Sequence, residues 1–168
     1  MHEIIAPAIE ELCGAFERGG YNPTPIVDLG VLVANADGSV GRAERELLSE
    51  VFQTLLETTL TPEVVDALID ASVEVIQVAG AEPRARLVAA ILRDCDAAEA
   101  GLRVALAIAF ASEGLSDGER AVIDFVADAA EVPADRVAEL VEEVRKYTDA
   151  GGPSSARKSL LPEHLRVT

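Results

Sequence analysis

The chain contains no tryptophan, and aromatic residues make up only 4% of it, although 49% is hydrophobic. With so few rings, the core of these 168 residues has to be assembled from Ala, Val, Leu and Ile, a palette suited to close-packed helices. Cysteine is almost as scarce. Cys13 and Cys95 are the two, with neither CxxC spacing nor a neighbouring His. That argues against a disulfide framework or a thiolate metal site and for a reducing compartment. Long apolar runs are missing too: the longest, residues 104–111, falls far short of the ~18 residues needed to cross a bilayer. No basic stretch followed by an apolar one opens the chain. A cytoplasmic location without direct membrane insertion is therefore expected. Basic residues are outnumbered, 14 against 30 acidic ones, for a net charge of −16. Such a chain repels nucleic-acid phosphates and anionic headgroups, and attracts cations or a basic protein.

Catalytic signatures are absent from the sequence as well. His2 and His164 lie in the terminal segments, there is no HExxH, and no glycine-rich loop follows a strand. Ser112, Ser116 and the serines near the C-terminus have no evident His base. No enzymatic activity is expected.

What the sequence does contain is helical periodicity, nearly from end to end, without a period-2 strand. The spacing predicts about eight helices. Ile5, Ile9, Leu12 and Phe16 mark the first, with Pro7 near its start, and Gly19-Gly20 ends it. Thr24-Pro25 reads as a cap and first helical residue for residues 26–36, which are apolar on nearly every side and interrupted by Asp28 and Asn35. Residues 42–57 form a third helix, Thr61-Pro62 starts a fourth, and Pro83 starts a fifth. The sixth, residues 98–112, is again apolar on most sides. The seventh spans 117–130, and the eighth starts at Pro133 and reaches Tyr147. The domain is assigned to 1–148. A flexible tail is assigned to 149–168, basic through Arg157, Lys158 and Arg166, with Leu160, Leu161, Leu165 and Val167 as apolar anchors for docking on the acidic body or on a neighbouring copy.

One pattern occurs twice. An acid-glycine turn, Asp37-Gly38, is matched 76 residues later by Glu113-Gly114, and Glu44-Arg45 is matched 75 residues later by Glu119-Arg120. Each copy follows an apolar helix and opens another. A structural account covers much of this. Ser116 and Glu119 have capping-box spacing, Gly41 and Glu44 stand at the equivalent positions, and Gly38 and Gly114 are expected to end the preceding helices in a left-handed conformation. Asp37 and Glu113 are left over. An acid at a helix C-terminus faces the negative end of the dipole, and a bound cation would supply the reason. An EF-hand is excluded, because its first ligand position falls on Val33 and the second copy is one residue short.

A buried helix ending in Ala-Asp-Gly, a small apolar residue three after the Asp and a Glu seven after it resemble the TerB-like tellurite-resistance domain. The stretch from Phe110 to Phe125 looks like that family's second repeat. The resemblance, over roughly residues 26–144, implies a compact all-α bundle with two pseudo-repeated halves and a role in stress responses without enzymatic activity. It also implies an acidic metal site and membership of larger assemblies, some membrane-associated. Carried over by position, the metal ligands are Asp37, Glu44, Glu113 and Glu119, with calcium or magnesium favoured by the oxygen-only donors. The second copy departs from the pattern, with Glu113 for Asp and a one-residue deletion. The alternative is a metal-free acidic module that docks a basic partner or its own tail. Last in order comes a metal-dependent hydrolase using the same carboxylates.

Overall fold

A computed structural model describes the backbone of residues 2–112 and 114–150. The expected tail lies, from residue 151 onward, outside the described residues. Among the described residues the chain forms eight helices and no strand: α1 (His2–Gly19), α2 (Thr24–Ala34), α3 (Arg42–Leu55), α4 (Pro62–Ala79), α5 (Ala81–Asp94), α6 (Ala98–Ala109), α7 (Asp117–Ala129) and α8 (Ala134–Ala150). The all-α, eight-helix expectation holds, and most boundaries fall within a few residues of those the periodicity predicts.

Three boundaries differ for local reasons. Pro7 lies inside α1, not at its start. As the sixth residue of α1 it lacks the N–H that would bond the Glu3 carbonyl, so the helix forgoes one bond there. The cap of α2 is Pro23 rather than Thr24, and the Thr24 N–H is taken instead by the Asn22 side chain at 3.0 Å. Helix α5 begins two residues before Pro83, directly after Gly80, whose φ of +91° breaks the chain away from α4.

The centre of the molecule is α2 packed on α6. Both are buried almost all round: every residue of α2 from Ile26 to Ala34, and α6 from Ala100 to Ala109 except Arg103. Small side chains permit this close approach. A Cβ added at Gly30 would lie 2.7 Å from Leu48 Cδ2 on α3 and 3.1 Å from Ile108 Cδ1 on α6, so a larger residue would push three helices apart. Around this pair, α1 lies along α6, α5 fills the space between α2 and α7, and α8 closes α6 and α7. Helix α4 sits at the edge, against α2, α3 and α5.

Helices α1, α3, α5 and α7 end alike. In each, an N–H beyond the end reaches back five residues in the Schellman pattern: Tyr21 to Phe16, Thr58 to Gln53, Ala97 to Leu92 and Val132 to Ala127, at 2.9–3.1 Å. The left-handed residue that allows this is Gly20 in α1. In the other three it is an acid, Glu57, Asp96 or Glu131.

Candidate functional site

Because α2 and α6 are neighbours, the acid-glycine turns that follow them, residues 35–41 and 110–116, come to one end of the bundle. Gly38 (φ +94°) and Gly114 (φ +103°) both take the positive φ expected of them, but neither terminates a helix. Helix α2 stops at Ala34 and α6 at Ala109, closed by Asn35 and Phe110 N–H groups bonded back to Val31 and Leu106. The glycines bend the linking turns instead.

The caps of α3 and α7 form as their spacing predicts. Ser116 Oγ accepts from the Glu119 N–H at 3.2 Å, and the Glu119 carboxylate accepts from the Ser116 N–H at 2.9 Å. In the first copy Gly41 has no side chain to offer, so only half the box exists: its N–H donates to Glu44 Oε2 at 2.5 Å. The other Glu44 oxygen accepts from the hydroxyl of Ser112, in the opposite turn, at 2.9 Å. Glu44 thus caps its own helix and ties the two turns together across 68 residues of sequence.

Asp37 makes the second crossing. Its Oδ1 lies 2.6 Å from where a Cβ on Gly118 would stand, in the first turn of α7, with the Ala36 carbonyl oxygen 3.3 Å from the same point. Contrary to expectation, Asp37 therefore does not sit on the negative end of α2. Its carboxylate is three residues past the end of α2 and faces the positive end of α7, where an anion is favoured. The three acids are close enough to act on one another. Burial, foremost, pushes the Glu119 carboxyl above the usual carboxylate range. The Ser116 hydrogen bonds oppose this, and the nearby charges of Glu44 and Asp37 add to it. Glu44 and Glu119 are 7% and 3% exposed. No ion pair among the described residues reaches Asp37, Glu44 or Glu119. Glu113 lies outside the described residues.

So the structure brings Asp37, Glu44 and Glu119 to one junction. Among the described residues, however, no three His, Cys, Asp or Glu side chains converge as ligands to a metal ion. Two junction residues escaped the sequence reading. Neither Ser112 nor Gly118 carries a local signal for this role, because their partners lie in the other half of the chain.

Two further charged clusters were also missed. Asp28, the lone acid of the apolar α2, is 6% exposed and accepts from Ser72 Oγ on α4 at 3.1 Å and from the Arg84 guanidinium on α5. Its place in an otherwise apolar run was the available signal. On the far side, Glu99 and Arg103 of α6 and Arg136 and Glu143 of α8 close a ring of alternating charge. Arg136 grips Glu99 with two bonds of 2.9 and 2.8 Å and reaches Glu143 at 3.1 Å. Arg103 lies 3.5 Å from Glu99 and 3.4 Å from Glu143.

No helix among the described residues is long and apolar enough to cross a membrane. The family model described as Tellurite resistance protein TerB matches residues 25–142, from the start of α2 into α8. Neither a curated protein nor a solved structure matches the chain.

Proposed function

The chain belongs to the TerB family, and from that premise we propose that it is a non-catalytic stress-response domain, working in the cytoplasm, that holds a divalent cation where its two acidic turns meet. The observation that carries this reading is the meeting of Asp37, Glu44 and Glu119 at one junction with, among the described residues, no lysine or arginine paired to any of them. The donors on hand are carboxylates, the Ala36 carbonyl and the Ser112 hydroxyl. All are hard oxygens, which suit calcium or magnesium better than zinc. A cation would offset the repulsion from Glu44 and Asp37 that adds to the effect of burial on Glu119. Glu113, in the second turn, is the fourth candidate ligand. Because Glu44 and Glu119 already cap helices, an ion competes with those caps, and weak binding is expected.

The two turns also read as copies of one duplicated unit: their glycines share positive φ, and Glu44 and Glu119 share a capping position. The test is a calorimetric titration of chelator-stripped protein with calcium, magnesium, manganese and zinc, beside an Asp37→Asn/Glu44→Gln variant. Saturable binding near one or two ions per chain, lost in the variant, supports the site. Equal heats in both proteins, or none, would remove it.

A second reading has its own support. The caps and the Ser112 bond account for Glu44 and Glu119 without any ion, and α7 accounts for Asp37. The domain then serves as an acidic module for a basic partner in a larger assembly, or for its own C-terminal segment. Such docking would weaken steadily with salt and be spread over many acids.

A further inference from the structure

Helix α4 carries two apolar stripes, and the fold uses only one. Val65, Ile69, Ser72 and Ile76 face inward and are buried. One residue earlier in each turn runs a second series, Val64, Leu68, Ala71, Val75 and Val78, at spacings of four, three, four and three. That is the four-three spacing of a heptad seam, held over about four turns and 21 Å. It is left open. Val64 and Val75 are 44% and 42% exposed, and Val78 is 85% exposed, the most exposed of the large hydrophobic residues among those described. Isolated exposed valines are ordinary, but three of them aligned on one face of one helix are not.

The seam has a charged edge on one side only. At 100° per residue, Glu63 and Glu74 fall along the edge away from the buried stripe, and Asp70 and Asp66 lie further round the helix, toward α3. Arg45 of α3 holds Asp66 at 2.7 Å and Asp70 at 3.8 Å. Glu63 and Glu74 are in no ion pair among the described residues. The whole chain, at −16, opposes pairing with a second copy and attracts a cation-bearing partner. We propose that the outer face of α4 is a docking site for an amphipathic helix of a partner protein, one with an apolar heptad seam and lysine or arginine along one edge. The seam would pack on Val64, Leu68, Ala71, Val75 and Val78, and the basic edge would meet Glu63 and Glu74. This surface is separate from the acidic turns and requires no ion.

The test uses the full chain with chelator present and a fluorescent 18-residue peptide, leucines at four-three spacing and lysines along one edge. Its control has the same composition with the leucine spacing scrambled. Anisotropy should show the seam peptide binding at least tenfold tighter than the scrambled one. Val75→Asn/Val78→Asn, which leaves charge and the buried stripe untouched, should weaken binding about tenfold. Glu63→Gln/Glu74→Gln should weaken it about threefold and flatten its salt dependence. Equal binding of the two peptides, no binding of either, or an unaltered affinity in the valine variant would overturn the proposal. Displacement of the seam peptide by a peptide of residues 151–168 would assign the face to this chain's own C-terminal segment instead. A concentration-dependent dimer abolished by the valine variant would assign it to a second copy.

Discussion

Two groups of glutamates stand at different places in this bundle and are held in opposite ways. On the α6–α8 face, Glu99 and Glu143 alternate with Arg103 and Arg136 in a closed ring, so each charge is answered by a neighbour. At the junction of the turns, Glu44 and Glu119 are answered by N–H groups and a hydroxyl, with Asp37 close by. The carboxyl groups respond accordingly: the bonds from Arg136 hold Glu99 below the ordinary range, whereas burial lifts Glu119 above it. The difference shows that composition alone does not say how an acid is held. Thirty acids are spread over the chain, and what distinguishes the junction is carboxylates gathered without a counter-charge among the described residues.

A third acid calibrates the two. Asp28 is buried like the junction acids and paired like the ring, with Arg84 and Ser72. Removing one partner of a buried pair leaves an unanswered charge, so Arg84→Met should cost about 3–5 kcal/mol in urea unfolding, the largest effect predicted here. A loss below about 1 kcal/mol would mean that Asp28 is relieved by water, and would blur its contrast with the ring.

Next in size is Gly118→Ala. In an open helix this exchange gains about 1 kcal/mol. Here the added Cβ meets Asp37 Oδ1 at 2.6 Å and the Ala36 carbonyl at 3.3 Å. Overpacking of that kind costs about 1–3 kcal/mol, so a net loss near 1 kcal/mol is expected. A net gain would show that Asp37 moves aside freely and is not seated against α7. Ser116→Ala, which removes the side-chain half of the α7 cap, should cost about 1 kcal/mol. Arg136→Gln should cost less than that, because the ring is partly open to water. Reversal of that order would mean that the ring, not the junction, is the firmer tie.

Much of this architecture was legible without coordinates. The eight helices followed from three- and four-residue spacing and from Thr61-Pro62, Ser116-Glu119 and Gly19-Gly20, which are local signals with local causes. The central place of α2 and α6 followed from their lack of a polar face. The junction was legible only in halves. Asp37, Glu44 and Glu119 could be named because the turn repeats, but the Ser112 bond to Glu44 and the seat of Asp37 on Gly118 depend on how α2 and α6 pack, which no local spacing encodes. The ring was missed for a similar reason. Glu99 and Arg103 are ordinary four-residue neighbours, and only the placement of α8 makes them half of a cycle. The start of α5 was misplaced because Pro83 looked like a first residue, while Gly80 had already turned the chain.

The smallest effect is also the sharpest test of the comparison, because the two regions should differ in sign. A glutamate in the unfolded chain titrates near 4.5. Native Glu119 keeps its proton to higher pH, so just above 4.5 the native state binds more protons than the unfolded one. Its contribution to stability therefore falls as pH rises through that window, then levels off above the folded pKa. Native Glu99 releases its proton at lower pH. Its contribution is present above 4.5 and is lost as pH falls through the folded pKa. Urea midpoints measured from about pH 3 to 7 should separate them. Glu119→Gln should remove a downward slope above 4.5, and Glu99→Gln an upward slope below it. Excess calcium, if it occupies the junction, should flatten the first slope and leave the second alone, since only the first belongs to carboxylates without a counter-charge. Flattening of both slopes would mean that the ion acts on the whole acidic surface and that the junction holds no site of its own.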